Sequence, residues 1–541
     1  MSQSSTPGPM LSRRDFVTSA AAAATAAVLP QTAARAATPA RYRRMNASAP
    51  GFPSRILDSY RKAIRAMLKL PPSDPRNWYR NALVHTIDCP HGNWWFMPWH
   101  RGYVGWFERT CRELSGDPDF AFPYWDWTIE PRVPVAMFED VLTPTAPEYI
   151  ASFEEFKDKF QGVVKSYWDA LSDDQVNQLL VRGLRFPEDL WFDIGYPRSP
   201  FFFPRAKARY LSREKPDLDG KTARSVLLST ILDALAPRDF IGFGSPKTMQ
   251  HSGLTGFGVL EGQPHNRVHN CVGGIFTDPS GHTIDAGGFM QGNLSPVDPL
   301  FFLHHSNIDR LWDVWTRKQQ ARGYPTVPTE GDHALWANEP FLFFVDDQGK
   351  PLGPKTAGDF ATIGDFAYDY QPGSGEEVVQ PPALAAARSA KPERFAARLA
   401  APAAGAAGAA GGSVALPAAL LGGPNAPRLT ARITVALPPL SHAGDYIVVA
   451  DAPQGSAATN PSNPHFVASL AMFGHHIMHG PVTFAVPLSQ TVAALSTQNL
   501  LKAQAPLTLR VVSEAPPPTA AAHAHAAAAA PEVLSIVVEA D

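Results

Sequence analysis

The chain has 541 residues, of which 45% are hydrophobic and 18% charged, and its 47 Lys and Arg against 50 Asp and Glu give a net charge of −3. This length exceeds one compact core and predicts at least two domains, and the near-neutral balance excludes a broad basic surface for nucleic acid. Three cysteines leave one unpaired and exclude a disulfide scaffold. The 53 prolines predict long loops. The 17 histidines are the residues most promising for chemistry.

The N-terminus predicts export. Arg13 and Arg14 precede an alanine-rich apolar stretch, and Ala34-Arg35-Ala36 offers small residues at a cleavage site. A basic start, a short apolar middle and a small-residue cut are typical of a secretory signal, and the arginine pair indicates the twin-arginine route of bacteria. We therefore expect residues 1–36 to be a twin-arginine signal peptide of a periplasmic or secreted bacterial protein. No other apolar run approaches the ~20 residues of a membrane span.

Residues 37–335 are predicted to form a mainly α-helical domain with long loops. Apolar spacing and prolines at first helical positions mark the helices. We expect helices over Ser54–Leu70, from Asp74-Pro75 to His85, from Pro98 past Leu114, within Arg205–Asp233, from Pro264 to Val272 and from Asp298-Pro299 past Trp315. Four such helices favour a bundle, which is a common place to build a metal site.

The composition changes towards the C-terminus. We interpret residues 336–397 as a connecting segment and the Ala-, Gly- and Pro-rich residues 398–428 as a linker. Residues 429–541 are predicted to form an antiparallel β-sandwich or barrel-like domain. Its strands are expected at Leu429–Leu437, Tyr446–Ala450, Thr483–Val486, Leu507–Val512 and Val533–Glu539.

Six histidines fall into two groups that are far apart in the sequence. The first triad is His85, His91 and His100, and the second triad is His265, His269 and His305. Imidazole suits copper, zinc, iron or nickel. However, a di-iron bundle needs Glu-x-x-His carboxylates, a blue-copper centre needs a Cys ligand and one catalytic zinc needs only three ligands. Two all-histidine triads therefore fit a pair of copper ions best.

Three segments resemble the type-3 copper tyrosinases and polyphenol oxidases. They are HGNWWFMPWHR at His91–Arg101, DFAFPYWDW at Asp119–Trp127 and DPLFFLHHSNIDRLW at Asp298–Trp312. The resemblance implies a four-helix bundle in which each triad holds one copper ion of a dicopper centre, with O₂ as co-substrate. Helical spacing does not distinguish His304 from His305 as a ligand, and the family pattern selects His305.

The resemblance also implies roles for four neighbouring residues. Cys89 is expected to form a thioether with His91, the alternative being a buried free thiol. Glu261 is expected to orient a water at the copper site, or else to complement a helix dipole, and Asn266 to help that water act as a base. Gly292 would leave the substrate entrance open, where some relatives place a bulky residue.

These observations predict a latent tyrosinase or polyphenol oxidase that hydroxylates monophenols and oxidises o-diphenols to o-quinones. The C-terminal β domain resembles a shielding domain and would act as an intramolecular inhibitor, so that phenolic and catecholic small molecules reach the site only after it is displaced. The alternatives are a catechol or o-aminophenol oxidase without monophenolase activity and, in another class, a haemocyanin-like oxygen binder.

Overall fold

The computed structural model describes residues 40–195, 208–274, 276–277, 283–284, 288–380, 392–400, 409–421, 426–437, 446–453, 458–473, 480–501, 505–513 and 531–541. The signal peptide predicted over residues 1–36 lies outside this set. A helical part comes first in the chain and a β part follows it. Within the described residues, every helix is too short or too polar to cross a membrane.

The helices form around buried apolar stripes and end at identifiable caps. They are α1 Ser54–Lys69, α2 Trp78–Asp88, α3 Phe96–Ser115, α4 Phe153–Asp169, α5 Asp173–Val181, α6 Pro187–Gly195, α7 Gly220–Ser225, α8 Leu228–Leu235, α9 Phe240–Phe243, α10 Asn266–Gly273, α11 Leu300–Arg322, α12 Gly331–Ala337 and α13 Ser489–Thr497. α2 begins at Trp78 instead of the predicted Asp74-Pro75. Asn77 caps it, because its side chain accepts the N–H of Tyr79 at 3.0 Å. The π-helical turn Glu261–His265 leads directly into α10.

Aromatic rings pack α2, α3 and α11 together. The rings of Phe107 and Phe302 stack with centroids 3.8 Å apart, and Trp78 packs edge-on against Phe107 at 5.6 Å. These rings are buried and join one apolar core. The core fixes the helices that carry His85, His100 and His305.

Among the described residues, the strands form two five-stranded sheets and three small pairs. They are β1 Tyr42–Arg44, β2 Gly256–Phe257, β3 Phe276–Thr277, β4 Thr283–Ile284, β5 Pro340–Phe341, β6 Lys355–Thr356, β7 Tyr368–Tyr370, β8 Glu393–Ala396, β9 Arg398–Leu399, β10 Ala409–Val414, β11 Leu429–Ala436, β12 Tyr446–Ala450, β13 Phe466–Ser469, β14 Val482–Pro487, β15 Leu507–Ser513 and β16 Glu532–Ala540. The two five-stranded sheets have the orders β13-β12-β15-β10-β9 and β2-β14-β11-β16-β8. Alternate residues of both sheets enter one shared apolar core, as in a sandwich.

The region predicted as a connecting segment and linker contributes strands instead. β8 and β9 begin the β part before residue 400, and β10 lies between β9 and β15. A side chain at Gly411 would place a Cβ 2.2 Å from the carbonyl oxygen of Leu509. The small residues of β10 therefore permit close packing of strands, whereas the composition alone suggested flexibility.

The β part is joined to the helical part by strand pairing and by buried polar contacts. β2, from the helical part, pairs in parallel with β14. Asp233 of α8 is fully buried, with Arg428 Nη1 at 3.4 Å and the Ser489 N–H at 3.3 Å, both from the β part. Burial raises the pKa of Asp233 to about 7, so this contact depends on the protonation of one carboxyl group.

Candidate metal centre

The first triad comes together with Cys89. His85 lies in α2, His100 lies in α3, and His91 lies in the connection between these helices. The ligand atoms of the three histidines and Cys89 lie within 4.8 Å of one another, and all four residues are buried. The structure therefore assembles three imidazoles from a single helix–loop–helix stretch.

The second triad assembles in the same way with one additional histidine. His265 ends the π-helical turn, His269 lies in α10, and His304 and His305 lie in α11. Their ring nitrogens lie within 4.8 Å of one another. The Nε2 atoms of His269 and His305 are 3.1 Å apart, so these two rings point at a common place.

The two groups face each other. The rings of His100 and His305 stack with centroids 4.3 Å apart, and those of His91 and His265 are 5.8 Å apart. Two ions held by these groups would therefore be neighbours and would form one dinuclear site.

Main-chain carbonyls set the orientation of three rings. The Nδ1 atom of His85 lies 2.6 Å from Asn293 O, that of His100 2.8 Å from Phe96 O, and that of His269 2.7 Å from Met290 O. A carbonyl oxygen only accepts, so each Nδ1 carries the proton and each Nε2 keeps a lone pair for a metal. This is the usual arrangement of metal-binding histidines.

One turn serves both groups. Met290 O orients His269 and Asn293 O orients His85, so residues 290–293 hold one ring of each triad. Gly292 is buried inside this turn, and its carbonyl accepts the N–H of Ser295 at 2.9 Å. Its place beside both groups is compatible with the predicted substrate gate, which stays a prediction.

His304 differs from the triad histidines in its hydrogen bonding. The indole N–H of Trp127 donates to Nδ1 of His304 at 3.1 Å. A neutral imidazole that accepts at Nδ1 carries its proton on Nε2 and has no lone pair there. His304 therefore presents an N–H to its surroundings, and the hydrogen bond supports His305 as the ligand, as the family pattern implies.

The donor set fits copper. Burial lowers the pKa of His85 to about 3 and lowers the pKa of His265, so both rings are neutral ligands at physiological pH. Their Nε2 atoms are buried without a hydrogen-bond partner, which is compatible with metal binding, and His304 Nε2 shares this feature. Among the described residues, the two groups contain only His and Cys, without the carboxylates that magnesium, calcium or a di-iron centre prefers.

Cys89 lies between two rings. Its Sγ atom is 3.5 Å from Nε2 of His91 and 3.3 Å from Nε2 of His100. The three cysteines of the chain form no disulfide. The sulfur is adjacent to the predicted thioether partner, and the thioether stays a prediction.

Glu261 connects the two groups. One carboxylate oxygen accepts the N–H of Gly92 at 2.7 Å, and the other accepts the hydroxyl of Ser245. Gly92, next to His91, has φ +65°, and a side chain there would lie 2.2 Å from Leu254. Burial raises the pKa of Glu261 to about 8, although both hydrogen bonds lower it. Burial therefore favours the protonated form of this carboxyl group at neutral pH.

Asn266 is engaged on both sides of its amide. Its Oδ1 lies 2.8 Å from Nδ1 of His265, and its Nδ2 donates to Ala471 O of the β part at 2.9 Å. The amide thus orients one triad ring and contacts the β part. Displacement of the β part would free the Nδ2 group.

Phe473, from the β part, covers the rings. Its ring stacks on His269 at 4.0 Å and lies edge-on to His91 at 4.9 Å and to His265 at 5.5 Å. Phe473 is 2% exposed. A phenol could not reach these rings while Phe473 occupies this position.

Sequence reasoning missed Phe473, Trp127 and the carbonyls of Met290 and Asn293 as site components. Phe473 follows a strand and has no distinguishing pattern around it. Trp127 lies in one of the quoted motifs, which could have drawn attention to it. The carbonyl contacts depend on backbone geometry and leave no side-chain signal.

Comparisons with known proteins match the segment that contains both histidine triads to a characterised domain. Residues 68–318 match the common central domain of tyrosinase. The chain is 27% identical over 319 residues to (+)-larreatricin hydroxylase of Larrea tridentata, covering 55% of this chain and 44% of that protein. It is 26% identical over 328 residues to polyphenol oxidase II of Ipomoea batatas, covering 58% and 47%. The matches thus span about half the length of these curated relatives.

A solved structure shares the fold over most of the chain. Latent aurone synthase (polyphenol oxidase) superposes with a TM-score of 0.54 at 18% identity, covering 94% of this chain and 91% of that chain. The likeness supports a helical part followed by a β part.

Both curated relatives are chloroplastic plant proteins by name. The prediction of a bacterial protein exported by the twin-arginine route is therefore wrong, because a basic, alanine-rich N-terminus does not distinguish one targeting route from another.

Proposed function

Because the chain belongs to the type-3 copper tyrosinase and polyphenol oxidase family, a family of copper oxidoreductases, we propose that it oxidises phenolic small molecules with O₂ at a dinuclear copper site. The first triad would hold one copper ion and the second triad the other. The observation that carries this proposal is the pair of adjacent buried imidazole groups, whose Nε2 atoms converge while carbonyls hold the Nδ1 protons. When bound, the two copper ions supply the redox chemistry by which O₂ oxidises the substrate.

The chain's own residues supply position and proton handling. A phenol has a pKa near 10 and must lose its proton to bind a metal at neutral pH. Glu261 and Asn266 are the groups we assign to this step, because the carboxyl group is buried near the rings and the amide contacts His265 directly. With Asn266 released from Ala471, its Nδ2 would be free to hold a water beside the substrate.

We assign the β part, residues 429–541 together with β8–β10, as an intramolecular inhibitor. Phe473 occupies the space next to the rings, and the β part is held to the helical part through β2 and the buried Asp233 contact. The chain would therefore be latent until this cover is displaced or cut.

The balance between hydroxylation and oxidation decides between a tyrosinase and a catechol or o-aminophenol oxidase. The test is to load the chain with copper and follow quinone formation from 4-methylphenol, 4-methylcatechol and o-aminophenol, before and after limited proteolysis. We expect little turnover before cleavage and catechol oxidation after it, with a variant His269→Ala inactive in both states.

Oxidation of 4-methylphenol would identify a tyrosinase. Oxidation of 4-methylcatechol or o-aminophenol without oxidation of 4-methylphenol would identify a catechol or o-aminophenol oxidase. If the cleaved, copper-loaded chain binds O₂ reversibly and oxidises none of the three compounds, the oxygen-binder alternative holds and the enzyme proposal fails. Because His304→Ala removes a histidine that we do not assign as a ligand, it serves as the matched control and should retain copper.

A further inference from the structure

A short segment at the end of β13 lies on the helical part. We name Ser469–Phe473 the covering segment. It continues from β13 and ends in the ring that stacks on His269. Three main-chain carbonyls of this segment accept hydrogen bonds from side-chain amides of the helical part: Gln263 Nε2 to Ser469 O at 3.1 Å, Asn266 Nδ2 to Ala471 O at 2.9 Å and Asn270 Nδ2 to Met472 O at 3.1 Å.

The three amides form one continuous surface. Gln263, Asn266 and Asn270 are three and four residues apart, so they share one face of the π-helical turn and α10. Their partners advance along the covering segment in the same order as the amides advance along the helix. The surface therefore fixes the direction of the bound peptide and delivers its last residue to the histidine rings.

These hydrogen bonds recognise main chain and not side chains. Every polypeptide offers carbonyl oxygens at the same spacing, and main-chain hydrogen bonds are a general source of affinity in peptide recognition. The aromatic ring is the one feature of the segment that touches the metal centre. Phe473 carries no hydroxyl group, so it has the shape of a tyrosyl side chain but cannot be oxidised as a phenol.

We propose that this amide surface, Gln263–Asn266–Asn270, is a peptide-binding site and that tyrosyl or dihydroxyphenylalanyl residues in extended polypeptide segments are substrates of the copper site. The covering segment is then an internal substrate mimic that occupies its own enzyme. This inference rests on the proposed function. In the full reaction a tyrosyl ring and O₂ give the o-quinone and one water: the ring gains one oxygen atom, the phenol loses two hydrogens, and O₂ accepts four electrons.

The first test uses the full-length chain and adds one hydroxyl group. In Phe473→Tyr, loaded with copper and exposed to air, the tyrosyl ring would lie where Phe473 now contacts three histidines. Tethering gives this ring an effective concentration of millimolar order. After reduction and protease digestion, mass spectrometry should find residue 473 one oxygen atom heavier. The internal control is Tyr210, which is 46% exposed and should stay unmodified.

Copper-free and oxygen-free samples of Phe473→Tyr should show no change at residue 473. The proposal is overturned if residue 473 stays unmodified while the same variant, once cleaved, oxidises 4-methylphenol. If the cleaved variant oxidises 4-methylcatechol alone, hydroxylation is absent and the peptide test below decides. If it oxidises neither compound, the proposed function itself has failed. Failure of the proposed function is therefore distinguishable from failure of the peptide-binding site.

The second test measures peptide recognition after limited proteolysis to maximal 4-methylcatechol turnover. The substrate acetyl-Ser-Leu-Ala-Met-dihydroxyphenylalanine amide is compared with the same residues in reversed order, which places the ring before the carbonyls. We expect kcat/KM to be about tenfold higher for the forward peptide, since hydrogen bonds of ordinary net strength are at stake. A forward peptide with shuffled first residues should perform equally.

The amides themselves are tested with the double variant Gln263→Ala and Asn270→Ala, which leaves Asn266 intact. It should lose about tenfold in kcat/KM for the forward peptide and change 4-methylcatechol turnover by no more than about twofold. Gln250→Ala, at an exposed position, is the control. Calorimetric titration with the unreactive peptide ending in phenylalanine gives Kd without turnover. Equal binding of this peptide to the wild-type chain and the double variant would contradict the proposal.

Discussion

Removal of the Phe473 ring should open the metal centre without cleavage of the chain. The side chain is 2% exposed and contacts rings of both triads. Burial of a phenylalanine side chain is worth about 1.5–3 kcal/mol relative to its exposure. In the closed state the β part covers the histidine rings, and in the open state it is displaced from them. Phe473→Ala removes most of this stabilisation from the closed state, so the population of the open state should rise about ten- to hundredfold. The variant also leaves space beside the rings while the segment is still bound.

The assay is the initial rate of 4-methylcatechol oxidation by the uncleaved, copper-loaded chain, divided by the rate of the same variant after limited proteolysis. Met472→Ala is the matched control, because it shortens a neighbouring side chain that packs on the β core. Phe473→Ala should raise the ratio about tenfold or more, and Met472→Ala should change it little. Phe473 does not close the site if Phe473→Ala is as latent as the wild type while proteolysis activates both.

Three further predictions follow from single contacts. If the thioether forms, the tryptic peptide containing Cys89 and His91 will be two hydrogens lighter than its sequence mass, and Cys89→Ser will have the unmodified mass. Trp127→Phe removes the hydrogen bond that keeps the proton of His304 on Nε2, so His304 can bind copper. X-ray absorption of the copper-loaded chain should then show an additional nitrogen ligand, and an unchanged spectrum would contradict this. Because the pKa of Asp233 is raised when the β part is bound, binding of the β part takes up a proton. The stabilisation of the bound state by Asp233 therefore declines from about pH 4 and is lost as the pH rises through 7. The activity ratio of uncleaved to cleaved chain should rise over this window, by at most about tenfold per pH unit, and Asp233→Asn should remove this pH dependence.

The convergence of the histidines was largely predictable from the sequence. All six triad histidines meet as expected, because they lie in long motifs whose helices are set by strong apolar spacing. The orientation of their rings was not predictable, since it depends on carbonyls such as Met290 O and Asn293 O. The hydrogen bond that distinguishes His304 from His305 comes from Trp127, 177 positions earlier in the chain.

The β part was predictable in outline only. Alternating apolar residues identify β11, β12 and β15, whereas β10 is rich in Ala and Gly and resembles a linker in composition. Its strand conformation arises from pairing with β15, a contact between residues far apart in sequence. The role of Phe473 has the same origin, because the pairing of β13 with β12 delivers it to the metal centre.

The copper content of the chain shows whether the two triads form a dinuclear copper site. Metal analysis of the purified, copper-loaded protein should give two copper ions per chain for the wild type and for His304→Ala. His100→Ala and His269→Ala, which each remove one ligand from one triad, should each retain about one. A wild-type chain that binds one copper ion, or that prefers a single zinc ion under the same conditions, would contradict the dinuclear copper site.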